Sequence, residues 1–173
     1  MIDINRVDDL DYVSQRETRV EIGAMTRHRT IERHEELQHV LPMLPEAAEQ
    51  IAGPSVRNRG TMGGSIAEAD PAGNYPTALT ALDADITITS TEGERTVSAD
   101  DYFIAYMFTD LGPEELVKSV TISVDPFPPD RTGMAFTELK PAAQTFPTVS
   151  GAAAIRVDDA DSERPTIEEA RLA

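Results

Sequence analysis

The chain has 173 residues, enough for one domain with a core of its own, or for one domain and part of another. Its 31 acids against 15 Lys and Arg give a formal charge of −16, a field that repels phosphate backbones and argues against a nucleic-acid binder. The absence of cysteine excludes disulfides, iron–sulfur ligation and a cysteine nucleophile from this chain.

Only Lys118 and Lys140 are lysines; the remaining cations are arginines. The acids are spread along the sequence rather than gathered in a tail, the pattern of an acidic, halophile-like surface. Such a fold is expected to gain stability as salt is raised and self-repulsion is screened. No apolar run approaches the ~18 residues of a membrane span. The opening "MIDINRVDDL" carries acids where a secretion signal carries basic residues, so a cytoplasmic protein is expected.

In chain order, "MIDI" reads as a short strand-like start and "RVEIGAMT" as a strand closed by Gly23. "TRHRTIERHEELQHVLPML" predicts a helix, with Ile31, Leu37 and Val40–Leu41 as its apolar stripe and Pro42 and Pro45 as breakers. "PEAAEQIA" predicts a second helix opening on proline, and "PTALTALDA" (76–84) a third. "ADITITST" alternates as a half-buried strand, "TEGER" turns, and "RTVSADDYF" returns. "ELVKSVTISV" (115–124) is the strongest strand signal, with Leu116, Lys118, Val120, Ile122 and Val124 on one face. "DPFPPDRTG" (125–133) reads as a linker, and three strand-like segments follow it. The fold class is α+β.

Between the second and third helices lies "VRNRGTMGGSIAEADPAGNYP" (56–76). The pair Gly63–Gly64 permits positive φ and close approach of a ligand. Thr61 and Ser65 flank it with hydroxyls, and turn N–H groups there would form an anion nest. An ordinary tight turn uses the same residues. Arg57 and Arg59 beside it suit either a solvated or ion-paired loop, or a contact with phosphate or with an iron–sulfur partner. His28, His34 and His39 lack the spacing of a helical metal pair and are expected on a solvated face, and Asp8/Asp9, Asp100/Asp101 and Asp158/Asp159/Asp161 as surface charge.

The order of these segments, from "IGAMTRHRTIERHEEL" through "TMGGSIAEADPAGNYPTALTALDADITI" to "FTDLGPEELVKSVTI", resembles the FAD-binding (medium) subunit of the carbon monoxide dehydrogenase and xanthine dehydrogenase family of molybdenum hydroxylases. The similarity runs from about residue 2 to residue 155. It implies a fold of the PCMH/molybdopterin-dehydrogenase flavoprotein type, with FAD as cofactor. Residues 1–13 would be a remnant of the first flavin subdomain, 14–125 the second, and 134–173 an incomplete C-terminal domain. The family's second flavin loop falls on Thr61, Gly63, Gly64 and Ser65. Its acid beyond the loop falls on Asn74, with Asp70 as the earlier acid of the same stretch. The residue over the flavin corresponds to Val117 or Leu116, and the family lysine to Lys140; Gln144 stands where an arginine is frequent.

The resemblance further implies an oxidoreductase subunit that is active only with its partners, a molybdenum-cofactor large subunit and a [2Fe–2S] small subunit. No residue of this chain is expected to act as a nucleophile or base, and no metal site is expected. The family's first glycine loop precedes the Ile-Asp-Ile strand, and its C-terminal domain runs past position 173. The sequence is therefore expected to be the middle of such a subunit. The alternative is a truncated structural or assembly subunit that binds FAD weakly or not at all.

Overall fold

The alternation in "RVEIG" and "ELVKSVTIS" is realised as two neighbouring strands of a five-stranded sheet. The computed structural model describes residues 3–142 and 145–173. The sheet is antiparallel throughout, in the order β1-β2-β7-β3-β4, with β1 Val13–Arg16, β2 Arg19–Gly23, β3 Asp85–Ser90, β4 Gly93–Ser98 and β7 Leu116–Ser123. Val20, Ile22, Ile86, Ile88, Val120 and Ile122 point from one face into the core, as β-branched side chains suit a half-buried pleat.

Six helices accompany the sheet: α1 His28–Glu32, α2 Glu35–Val40, α3 Met43–Glu49, α4 Pro54–Arg57, α5 Met62–Glu68 and α6 Asn74–Ala81. Of these α5 packs directly on β2 and β7, and buried residues of α1, α2, α3, α5 and α6 join those of the sheet in one apolar cluster. After β4 come a one-turn helix, α7 Ala99–Tyr102, capped by Ser98, and a small hairpin of β5 Phe103–Ala105 and β6 Phe108–Thr109. A second antiparallel sheet, β10-β9-β8, is formed by β8 Thr132–Leu139, β9 Val149–Val157 and β10 Ile167–Leu172. It packs on α3 through β8 and on α6 through β9. Ala152 and Ala154 on β9 are small enough to let the sheet sit close, and they join the same apolar cluster as the first sheet. In the 125–133 stretch Phe127 is buried in that cluster, under the Arg171 guanidinium 4.9 Å above its ring.

Several sequence expectations need correction. Met1 and Ile2 lie outside the described residues, and Asp3 and Ile4 carry no strand. Strand β1 had no clear sequence signal. The single helix expected across 26–44 is two, broken at Arg33–His34. Ile31 and Leu37 are six residues apart, about 120° around a helix of ~100° per residue; with the break at Arg33–His34 both are fully buried. Pro45 does not break α3 but sits in its first turn, as Pro76 does in α6, where an N–H has no intrahelical acceptor to lose.

Strand β7 carries the most consequential difference. Its pairing with β3 shifts register at Thr87/Ile88, so that Thr87 faces Ser119 while Ile88 faces Val117. Lys118 is the extra residue of this bulge, which reverses the phase of the strand. Val117, rather than Leu116 or Lys118, therefore turns inward with Val120 and Ile122, while Leu116 is half exposed.

Candidate functional site

The segment 56–76, read from sequence as a glycine loop, holds the end of α4, the whole of α5 and the first turn of α6. Thr61 has extended backbone and caps α5, its Oγ1 accepting the Gly64 N–H at 3.1 Å. The remaining first-turn donors of α5 are also taken: Met62 N–H by Thr26 O, Gly63 N–H by Ala24 O, and Ser65 N–H by Thr61 O. The anion nest expected of this turn is therefore filled by the protein itself. The expected positive φ is also absent, since Gly93 alone among the glycines of the described residues has one.

The two adjacent glycines have different reasons to be glycine. A Cβ on Gly63 would lie 2.5 Å from Ala24 Cβ and 2.8 Å from Ala24 O, because α5 presses against the end of β2. A Cβ on Gly64 would meet only Thr61 Oγ1, at 3.0 Å, and Gly64 is exposed.

All eight residues singled out from the sequence line one cavity of about 790 Å³: Thr61, Gly63, Gly64, Ser65, Asp70, Asn74, Val117 and Lys140. Its apolar wall is made by Ile51, Ala52, Val56, Leu111, Leu116 and Val117. Asp70 Oδ1 accepts the Ala72 N–H at 2.9 Å and Asp70 O the Gly73 N–H at 2.7 Å, which shapes the turn into α6. Asn74 is buried, and its amide nitrogen donates to Ala47 O at 2.9 Å. The side chain ties α6 to α3, leaving Oδ1 to accept. Lys140 Nζ is held by Gln50 O and by the Glu138 carboxylate, so it is not a free cation. Gln144 lies outside the described residues.

At the first turn of α6, Gly73 provides no side-chain cap, and the Asn74 and Tyr75 N–H groups have no acceptor among the described residues. Those donors, rather than the ones of α5, are open beside Gly73 and Asn74 on the cavity wall.

Sequence reasoning missed His28. It is 5% exposed rather than solvated, lines the cavity, and packs with its ring tilted 53° to that of Tyr75, centroids 5.3 Å apart and Nδ1 3.2 Å from Tyr75 Oη. Burial first, then the charges of Arg27 and Arg57, lower its pKa to about 4, so it is neutral near pH 7. Burial drives the Tyr75 phenol up. No local sequence signal announced this: the room for the ring is made by Gly60, distant in sequence, where a Cβ would lie 2.5 Å from His28 Nε2. Arg57 resolves as the ion-paired alternative: its Nε donates to Glu32 Oε2 at 2.8 Å and its Nη1 to the Ile51 and Ala52 carbonyls. Arg59 is exposed at the cavity rim, where its carbonyl accepts from Arg27 Nη1. His34 is half buried and His39 exposed. Among the described residues no cluster of His and carboxylates could hold a metal ion.

Residues 1–124 match the family described as the FAD binding domain in molybdopterin dehydrogenase. The chain belongs to that family. Among relatives of this molybdopterin dehydrogenase FAD domain, the carbon monoxide dehydrogenase medium chain of Hydrogenophaga pseudoflava is 37% identical over 156 residues, 90% of this chain and 53% of the relative. The 6-hydroxypseudooxynicotine dehydrogenase complex subunit alpha of Paenarthrobacter nicotinovorans is 37% identical over 155 residues, covering 90% and 51%. Among solved structures, a carbon monoxide dehydrogenase from H. pseudoflava that lacks the Mo-pyranopterin moiety superposes with a TM-score of 0.90 at 34% identity. That match covers 99% of this chain and 57% of the other. The chain thus spans about half the length of the relatives it matches.

The cavity suits the family's cofactor, FAD. Its volume is in the range of small-molecule sites. It offers an apolar wall, N–H donors at the start of α6 without a protein acceptor among the described residues, hydroxyls at Thr61 and Ser65, and the Arg59 cation at its rim. No helix among the described residues is long and apolar enough to cross a membrane.

Proposed function

We propose that this chain is the FAD-binding part of a cytoplasmic molybdenum hydroxylase, working with a molybdenum-cofactor large subunit and a [2Fe–2S] small subunit. FAD, when bound, supplies the capacity to take electrons from the iron–sulfur subunit and pass them to an external acceptor. The chain's own residues bind and orient it. In this reading residues 14–125 form the second flavin subdomain and 134–173 open the C-terminal domain.

The observation that carries the reading is the convergence of Thr61, Gly63, Gly64, Ser65, Asp70, Asn74, Val117 and Lys140 on one cavity. Thr61 Oγ1 accepts from Gly64 but keeps its own proton to donate, and Ser65 offers a second hydroxyl. Asp70 and the Asn74 carbonyl supply acceptors for cofactor hydroxyls. Val117 and Leu116 supply apolar surface for a ring, and the Lys140 cation, partly neutralised by Glu138, borders the same space.

The test is a titration of the purified intact chain with FAD, followed by flavin absorption and fluorescence quenching, alone and after co-expression with the partner subunits. Saturable binding with a structured flavin spectrum is expected at least in the co-expressed complex. Failure to bind in both would overturn the flavoprotein reading in favour of the structural or assembly subunit.

A further inference from the structure

Half of the apolar wall of the cavity comes from the connection before β7 and the start of that strand. Leu111 lies in the 110–115 connection that leads into β7, and Leu116 and Val117 are the first residues of that strand. The connection carries Asp110, Glu114 and Glu115, three acids in six residues, which repel one another if left alone.

One side chain gathers two of them. Arg95, in the middle of β4, donates from Nε to Glu115 Oε1 and from Nη2 to Glu115 Oε2, each at 2.7 Å, a bidentate fork. Its Nη1 meets the Asp110 carboxylate, and its Nη2 also reaches Asp110 O at 2.6 Å. Glu115 Oε2 in turn accepts the Gly112 N–H at 2.7 Å. Both ends of the connection are thus tied to one guanidinium, and its middle to the Glu115 carboxylate that the guanidinium holds. The Glu115 carboxyl is held down to about 2, first by Arg95 and then by the Gly112 N–H.

The sheet carries this arrangement across to the cavity. Arg95 pairs with Ile88 and Ile88 pairs with Val117, so the three side chains stand in one row on the same face. The bulge at Lys118 is what brings Val117 into that row. On the opposite face Lys118 pairs with Glu94 at 2.6 Å, a second tie between β4 and β7 that does not touch the cavity.

We propose that Arg95 is a positioning residue for the cofactor site: by clamping Asp110 and Glu115 it fixes Leu111, Leu116 and Val117 as the wall against which the ligand packs. The proposal deepens the FAD-binding reading and rests on it. A lysine cannot replace the fork, because an ammonium is a single point donor and cannot serve both carboxylates in one geometry.

The test compares Arg95→Ala, Arg95→Lys and Glu115→Gln with Lys118→Ala, in the intact chain co-expressed with its partners. The readouts are the FAD dissociation constant and amide hydrogen exchange over 110–117. Arg95→Ala is expected to weaken FAD at least tenfold and to speed exchange at Gly112 and Leu116 while exchange in β3 is unchanged. Arg95→Lys and Glu115→Gln should fall between it and the wild type. Lys118→Ala, which loses only the tether on the far face, should leave both readouts near wild type. Equal effects of Arg95→Ala and Lys118→Ala would overturn the proposal, leaving a general strand tether, as would FAD affinity unmoved by Arg95→Ala. If the wild type itself binds no FAD, the flavoprotein reading fails and the cofactor role of Arg95 with it. The exchange data then show separately whether the clamp on 110–117 exists.

Discussion

Helices α5 and α6 begin on the same cavity and present it with opposite faces. At α5 every first-turn N–H has a protein acceptor, in the Ala24 and Thr26 carbonyls that follow β2 or in Thr61. At α6 there is no side-chain cap, and the first two N–H groups have no acceptor among the described residues. The segment with the conspicuous glycine motif is the closed one, and the segment with the plain sequence Gly-Asn-Tyr-Pro is the open one. A glycine motif therefore marks where the backbone must come close to something, and here that something is first of all the protein. His28 joins the two starts: its backbone N–H donates to Gly60 O before α5, and its ring contacts Tyr75 in the first turn of α6.

The contrast is broken most forcefully at Gly63. Any side chain there drives into Ala24 at the rigid end of β2, so Gly63→Val is expected to destabilise the fold by about 3 kcal/mol or more. That is a large part of the 5–15 kcal/mol typical of a domain. Urea unfolding followed by circular dichroism checks it; a midpoint within error of wild type would mean that α5 is not pressed on β2.

The link through His28 gives the next largest effect, and it depends on pH. The folded pKa lies near 4 against an ordinary value of 6.5, so the native state disfavours the proton. Stability from this group is therefore fully present above about pH 6.5 and falls as pH drops toward 4, where the unfolded chain binds a proton that the native chain does not. The shift corresponds to roughly 3 kcal/mol across that window. Urea midpoints at pH 7, 5.5 and 4 should fall steeply for the wild type. A His28→Asn variant, less stable at pH 7, should lose most of this slope; an unchanged slope would remove His28 as its source.

Much of the fold was legible where a local pattern and its environment agree. The alternation of "ADITITST" gave β3, and the strand-like segments "VSGAAAIRV" and "TIEEARLA" gave β9 and β10, the last with a boundary change of one residue at each end. What could not be read were features set by partners distant in sequence. The reversal of phase in β7 depends on its register with β3, and nothing in "LVKSVTIS" announces it. The break between α1 and α2 at Arg33–His34 leaves no mark in the apolar spacing of the segment. His28 is buried because Gly60 and Tyr75, 32 and 47 positions away, make room and a ring for it. Positions around the site were legible through family resemblance, which placed eight residues now found on one cavity. Their contacts were not: the amide nitrogen of Asn74 and the ammonium of Lys140 both turned out to be engaged by carbonyls of α3 and its C-cap.

A smaller effect is expected at the cap. Thr61→Ala removes the acceptor for Gly64 N–H and should cost about 1 kcal/mol, the usual value of an N-cap hydroxyl. In a chain of this length that lowers Tm by roughly 2–4 °C. Thr61→Ser restores the oxygen and should recover most of it. If serine fails to rescue, the methyl packing rather than the cap was responsible.

The smallest stability effect belongs to Gly64, and for that reason it separates the two demands on the glycine pair. Its φ is helical, and alanine is favoured over glycine in a helix by up to about 1 kcal/mol. Against this stands one contact of the new Cβ with the Thr61 hydroxyl, at 3.0 Å. The two nearly cancel, so the thermal midpoint of Gly64→Ala should lie within a degree or two of wild type. The Cβ would nevertheless project from an exposed position on the cavity wall, where a bound cofactor has to pass. FAD affinity is therefore expected to fall several-fold for Gly64→Ala and further for Gly64→Val, with the fold intact. Paired measurements of Tm and of FAD dissociation constant on the same preparations decide it. An unchanged affinity in both variants would place the cofactor away from α5, against the open first turn of α6 alone.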